Sequence, residues 1–174
     1  AIPEQCNRNL EDDLYTVFSN EIGFIEFEEY AFSGQINWDI GNFRVTSITA
    51  LRDSDERVVQ DFDGSSIPFF QTDRAQDYYQ FSQELRLAGD FAPGVNGVVG
   101  FFYFENEYQL DQTTTLPGGA QVNPMTDHQV KSYAIFADAD IELTDKLRLS
   151  LGARYSWDDK EFTRTLAPGA AFSN

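Results

Sequence analysis

Between Leu147 and Trp157 the chain alternates with a period of two residues. Leu147, Leu149, Leu151, Ala153, Tyr155 and Trp157 are interleaved with Arg148, Ser150, Gly152, Arg154, Ser156 and Asp158. Successive side chains of a strand point to opposite faces, so this stretch has one apolar face and one polar or small face. Just upstream, Tyr133, Ile135, Ala137, Ala139, Ile141 and Leu143 alternate with Ser132, Ala134, Phe136, Asp138, Asp140 and Glu142. The short polar run Thr144–Asp145–Lys146 joins the two, and the pair reads as a β-hairpin. Any fold for this chain must give that hairpin an apolar surround on one side and water on the other.

The pattern recurs. Tyr79, Phe81, Leu85 and Leu87 alternate with Gln80, Ser82, Glu84 and Arg86. A turn at Pro93–Gly94 and Asn96–Gly97 leads into an aromatic strand from Val98 to Tyr108. Earlier, Tyr30, Phe32, Ile36 and Trp38 alternate with Glu29, Ser33, Gln35 and Asn37, and Asp39–Ile40–Gly41–Asn42 turns the chain into Phe43–Arg52. These amount to about six strands of roughly 10 to 14 residues, against about 5 to 6 in an ordinary soluble strand. Leu10–Phe18 offers at most a turn or two of helix.

Connections alternate too. Turns near Gly41, Gly94 and Asp145 are tight, whereas 58–76 and 111–130 read as long polar loops. Short turns on one rim and long loops on the other are the asymmetry of an outer-membrane β-barrel. No run of about 18 apolar residues is present to make a membrane helix, but barrels carry no such run. Trp38, Phe43 and Phe91 fall at the short-turn rim. Tyr78, Tyr79, Tyr103, Phe104, Tyr108, Tyr155 and Trp157 fall towards the long loops, as two aromatic belts would require. The fold class expected is all-β: an antiparallel up-and-down transmembrane β-barrel segment. A barrel closes with about eight strands or more, so about six make an incomplete barrel.

Composition narrows the functions. With 29 acidic and 12 basic residues and a net charge of -17, the chain lacks the basic face that nucleic acid demands. The lone cysteine, Cys6, closes no disulfide within the chain; it is a free thiol or has a partner outside this sequence. Ala1–Ile2–Pro3–Glu4 has neither the basic nor the apolar region of a signal peptide. His128 is the single histidine, and neither a GxSxG elbow nor a Cys–His pair accompanies it, so no catalytic site and no cofactor are expected. Asp61–Phe62–Asp63–Gly64–Ser65 has the outline of a calcium loop, but Thr72 stands where a bidentate Glu is wanted, so no metal site is assigned.

Several stretches together resemble the barrel of TonB-dependent outer-membrane receptors. They are Thr46–Ser47–Ile48–Thr49–Ala50–Leu51–Arg52, Phe81–Ser82–Gln83–Glu84–Leu85–Arg86–Leu87, Ser132–Tyr133–Ala134–Ile135–Phe136–Ala137, Leu143–Thr144–Asp145–Lys146–Leu147 and Leu151–Gly152–Ala153–Arg154–Tyr155, followed by Asp158–Asp159–Lys160. The resemblance spans about residues 14–163. It implies a 22-stranded barrel with a plugged lumen, located in the outer membrane of a Gram-negative bacterium. It further implies active, ligand-gated uptake of a scarce nutrient, above all a ferric siderophore or similar iron complex. The implied partners are outer-membrane lipid, the small-molecule ligand, and the TonB complex acting through a plug that lies outside this chain.

The organisation expected is a piece of one β-barrel domain. Residues 1–27 form mostly extracellular loop, 28–163 form barrel strands and loops, and 164–174 begin the next loop. Gln80, Ser82, Glu84, Arg86, Asp138, Asp140, Glu142, Arg148, Arg154 and Asp158 fall on the polar alternation and are expected to line the lumen. Most of them serve wall structure, with Glu142 and Arg148 paired across the hairpin. Ligand contact is expected from the loops, through Phe69, Phe70, Tyr78 and His128. Two other readings share the alternation: a passive porin or anchoring barrel, which lacks a plug, and a soluble lipocalin-like protein, which turns its apolar face inward to a ligand.

Overall fold

The structure is a computed structural model that describes residues 19–166. Cys6, Leu10–Phe18 and most of both terminal loops lie outside the described residues. Six long strands follow one another: β1 (Phe24–Ile40), β2 (Phe43–Asp61), β3 (Gln71–Ala92), β4 (Val95–Thr115), β6 (Pro124–Thr144) and β7 (Leu147–Leu166). A two-residue strand, β5 (Gln121–Val122), pairs only with the end of β4. All pairing is antiparallel, in the order β1-β2-β3-β4-β6-β7, and the sheet is not closed into a barrel. The hairpin read from the sequence is present, with the expected Glu142–Arg148 pair, and its register puts Tyr133 opposite Trp157 and Ile135 opposite Tyr155.

The strands are longer than the apolar alternation suggests, and the loops correspondingly shorter. Residues 58–61 and 71–76 belong to β2 and β3, and 111–115 and 124–130 to β4 and β6, leaving 62–70 and 116–123 as connections. The reason is side-chain chemistry. Beyond Tyr79 and Tyr103 the ladder continues, but many of its cross-strand pairs are polar and the apolar alternation is broken. Arg57 binds Asp73 at 2.8 Å, Gln109 donates to Asp127 at 3.0 Å, and Gln129 donates to Glu107 at 2.6 Å. Backbone pairing needs no strict hydrophobic period.

Tight turns close the other rim. In the turn Ala92–Pro93–Gly94–Val95, proline fixes its φ and Gly94 takes φ 71°, the left-handed value that the third position of a type II turn demands. The rim is tilted to the hydrogen-bonded rows. The first turn closes in the row of Ile40, Phe43, Gly89, Gly97, Ala139 and Leu151; the second closes at Val95, in the row of Ile141 and Leu149. The third closes further still, at Leu147. Aromatic rings step the same way: Trp157, Tyr133 and Tyr103 share one row, whereas Tyr30 on β1 sits higher. Such a stagger, about one residue per strand, is what tilted barrel strands produce.

Among the described residues no second layer covers this sheet. Val58, Val59, Pro124 and Ala134 are the only buried apolar residues among those described. Ile36, Trp38, Leu85, Val99, Phe101, Ile135, Leu149, Leu151 and Tyr155 are all exposed, and register places them on one face. That contiguous apolar surface is far larger than a soluble monomer tolerates.

Candidate functional site

Register sorts every strand residue onto one of two faces. Gln80, Ser82, Glu84, Arg86, Asp138, Asp140, Glu142, Arg148, Arg154 and Asp158 all lie on the polar face. Near the short turns their charges cancel locally. Arg148 meets Glu142 at 2.6 Å, Arg44 meets Asp39 at 2.7 Å, Arg86 pairs with Glu84, and Ser150 donates to Asp140. Higher up, Arg52 pairs with Glu29, and Arg74 reaches Glu56 at 3.9 Å.

At mid-height the polar face is unexpectedly aromatic. The Arg154 guanidinium lies 5.5 Å from the centre of the Phe102 ring and 5.6 Å from that of Phe136, and its Nε donates to Ser156 Oγ at 3.1 Å. Phe136 can lie there because its cross-strand partner is Gly100, where any Cβ would run into the Phe136 ring. Arg154 takes part in no ion pair among the described residues.

Above this lies a row that sequence reasoning missed. Tyr78 stands opposite Tyr108, Tyr108 opposite His128, and His128 opposite Phe162. Four adjacent strands thus place four rings side by side on the polar face. The His128 and Phe162 rings are 6.3 Å apart, edge to face, and Arg52 sits 5.8 Å from the centre of the Tyr78 ring. Two expectations are corrected here. Tyr78 and His128 are not loop residues but belong to β3 and β6. Likewise Tyr78, Phe104 and Tyr108 do not join the aromatic belt, because strand parity turns them to the polar face. The belt proper is Tyr103, Tyr133, Tyr155 and Trp157, with Tyr133 stacked on Trp157 at 5.5 Å, and Phe43 against Phe91 at the other rim.

Phe69 and Phe70 do lie in a loop, 62–70, and it is stitched rather than loose. The Asp63 carboxylate accepts from the Ser65 amide (2.9 Å) and hydroxyl and from the Phe69 (3.2 Å) and Phe70 (2.6 Å) amides. Burial alone would raise the Asp63 carboxyl, but these four donors hold it below its usual value. Asp61 accepts from the Asp63 and Gly64 amides and from the Ser19 hydroxyl. The acidic residues that suggest a calcium loop are thus used as hydrogen-bond acceptors for the backbone. Among the described residues no group of three or more His, Cys, Asp or Glu is arranged to hold a metal ion. The loop presents Phe62, Phe69 and Phe70 as an exposed apolar tip, with Phe62 and Phe70 rings 5.4 Å apart.

The other face carries its charge differently. Above the aromatic belt it bears Glu26, Glu28, Asp53, Asp55, Asp73, Asp77, Glu105, Glu107, Asp111, Asp127, Asp159 and Glu161. Arg57 and Lys131 are its only strand cations among the described residues, paired with Asp73 at 2.8 Å and Glu105 at 3.2 Å. Within this collar, burial, a shared hydrogen bond with Asp55 and the charges of Asp55, Asp111 and Asp53 push the Asp77 carboxyl up.

A long-stranded, staggered, single-layer antiparallel sheet with one apolar and one polar face defines the wall of a β-barrel. The chain belongs to the TonB dependent receptor-like, beta-barrel family, whose sequence model matches residues 7–174. Among solved structures, the ferric yersiniabactin uptake receptor FyuA from Yersinia pestis aligns with TM-score 0.56 and 16% identity, over 80% of this chain and 25% of that one. The chain therefore spans about a quarter of that receptor, and at this identity the likeness is one of fold. The membrane pore complex of pneumolysin aligns at TM-score 0.13 with 10% identity, over 95% of this chain and 36% of that one, which carries no argument. No curated protein matches the sequence. The family and the aligned receptor are transport proteins rather than enzymes.

Proposed function

We propose that this chain supplies wall strands and extracellular loops to a TonB-dependent receptor in the outer membrane of a Gram-negative bacterium. The receptor takes up a scarce nutrient actively, and a ferric siderophore or a similar iron complex fits best. The observation that carries this is the two-faced single sheet: an apolar band framed by aromatic rings on one side, and charged, internally paired residues on the other. Lipid satisfies the first face and a filled lumen the second. Family membership adds the coupling to TonB through a plug outside this chain. The likeness to a receptor for ferric yersiniabactin adds the kind of cargo. Phe69 and Phe70 at the loop tip, and Tyr78 and His128 on the wall beneath it, are the ligand-contact residues of this reading.

Uptake of radiolabelled ferric siderophores by iron-starved cells carrying the intact gene tests it. Uptake that ceases when the gene or TonB is removed is expected. Iron uptake unaffected by removal of the gene, or proceeding equally without TonB, contradicts it; diffusion of unrelated small solutes through the purified protein in vesicles points to a porin instead.

A further inference from the structure

The apolar face is interrupted at one place. On β4, β6 and β7 its band carries no polar side chain from Val99 to Phe101, from Ile135 to Ala139 and from Leu149 to Ala153. On β2 and β3 it carries Ser47, Thr49 and Gln83. Register puts Thr49 between Gly34 and Gln83, and Ser47 between Ile36 and Leu85. These three do not belong to the water-facing ends of their strands. Along β2 the same face continues as Val45 on the short-turn side and Leu51 on the other; along β3 it continues as Leu85 and Phe81. Nor do they lie at an edge of the sheet, since β1 and β3 flank β2, and β2 and β4 flank β3.

The three side chains bond to one another without using all their hydrogen-bonding groups. Thr49 Oγ1 donates to Gln83 Oε1 at 2.6 Å. Gln83 Nε2 donates to Ser47 Oγ at 3.0 Å and to the Glu84 carbonyl at 3.1 Å. Both amide hydrogens of Gln83 are thus engaged. The Ser47 hydroxyl accepts but donates to nothing among the described residues, and the Thr49 hydroxyl donates but accepts from nothing among them. Water would complete both; hydrocarbon completes neither, and a hydroxyl without a partner there is costly.

From this arrangement we infer that Ser47, Thr49 and Gln83 mark a contact, within the membrane, between two copies of the receptor. The occupant is argued from complementarity of donors and acceptors. A lipid acyl chain offers neither at this depth. A second copy offers both, and because it stands in the same bilayer it presents them at the same depth. A two-fold axis along the membrane normal sets the patch against itself, so the hydroxyl hydrogen left over on one copy meets the hydroxyl oxygens left over on the other. Gly34 has no side chain and adds no bulk opposite Thr49, while Ile36, Leu51 and Leu85 give the polar centre an apolar rim. The inference rests on the proposed membrane reading, in that it supposes lipid around this face.

Two measurements on the full-length receptor in a Cys6→Ser background test it: sedimentation equilibrium in density-matched detergent micelles, and oxidative cross-linking in outer-membrane vesicles. Sedimentation should show a dimer. Ser47→Ala/Thr49→Val/Gln83→Leu should weaken that dimer by at least about tenfold, the worth of one or two hydrogen bonds in an apolar solvent. Apolar side chains suit a wall that faces lipid, so the triple variant should fold and melt as the parent does. Single Ser47→Ala and Gln83→Leu changes, each expected to weaken the dimer, decide the matter if it does not. Under oxidation Ser47→Cys should yield a linked dimer, whereas Ile135→Cys and Leu149→Cys, on the same face of other strands, should not. A dimer lost in the triple variant upholds the contact even where the cysteine itself loosens it. A monomeric parent, a dimer untouched by the triple and single variants, or linkage from Ile135→Cys as strong as from Ser47→Cys overturns the inference. TonB-dependent uptake by a protein that stays monomeric removes this inference and keeps the receptor; a dimer that depends on the patch, with uptake indifferent to TonB, does the reverse.

Discussion

The two faces of the same strands dispose of charge in opposite ways. On the polar face acids and bases are interspersed and largely paired, as Arg148–Glu142, Arg86–Glu84 and Arg52–Glu29 show, with Arg154, Lys160 and Arg164 on the edge strand β7 in no ion pair among the described residues. On the other face charge is absent from the apolar band and then returns above the aromatic belt as carboxylates, with only Arg57 and Lys131 among them. The net charge of -17 is thus not spread over the molecule; much of it is a collar on one face. Under the proposed receptor reading, the polar face lines a filled interior, where balanced charge is favoured because an unpaired charge is costly. A surface standing in water just beyond lipid is free to be acidic.

The largest effect should come from breaking this division within the apolar band. Leu151→Arg puts a cation at its centre and should cost about 2–4 kcal/mol of stability in a bilayer, whereas Ser150→Arg, its neighbour on the polar face beside Asp140, should change stability by about 0.5 kcal/mol or less. Urea unfolding of the intact protein in phospholipid vesicles reads both. Equal costs would erase the distinction between the faces.

Next in size is Gly100→Ala. The added methyl displaces the Phe136 ring, and with it one of the two rings against Arg154. Overpacking of this kind costs about 1–3 kcal/mol. Pairing the change with Phe136→Ala should recover part of the loss, since the obstruction is then gone; no recovery would mean that the ring is not what Gly100 accommodates.

The collar should show itself in pH dependence. The Asp77 carboxyl is raised, so its ionised form is disfavoured by folding. Stability should rise as pH falls through the folded pKa and level off below the ordinary aspartate value of 3.8, where the carboxyl is protonated in both states. Asp77→Asn should be more stable than wild type at neutral pH and lack its share of that rise. Thermal melts across the acid range check this, and an unchanged profile would remove the repulsion ascribed to Asp55, Asp111 and Asp53. Smallest and most local is Asp63, whose lowered carboxyl works in the other direction: its hold on the loop is present above 3.8 and lost as pH falls through its lower folded value. Protease nicking within 62–70 should increase there, and in Asp63→Asn at neutral pH, without a shift in global melting.

Sequence reading served the two halves of the strands unequally. From Tyr133 to Trp157 the alternation of Leu, Ile and Ala with Ser, Asp and Arg dictates face, turn and register together, because a slip of one residue would expose every apolar side chain. From Arg57 to Asp61 and from Gln71 to Asp77 polar pairs such as Arg57–Asp73 break the apolar period, and the strands there pass for loop. The Tyr78–Tyr108–His128–Phe162 row was out of reach for a different reason. Each ring is visible in its own strand, but their meeting depends on the register of three separate pairings. Phe162 also lies outside the apolar period on which β7 is recognised.

The central claim is that Ile135 and its like face lipid while Phe136 and its like face the interior. It is tested most directly by spin labels placed singly at residues 132–141 of the intact protein in bilayers, in a Cys6→Ser background. Accessibility to oxygen should peak at the odd positions, and accessibility to a water-soluble nickel reagent should not follow it. Labels at odd and even positions equally shielded from lipid, or a reversed alternation with Phe136 in lipid and Ile135 enclosed, would contradict the account.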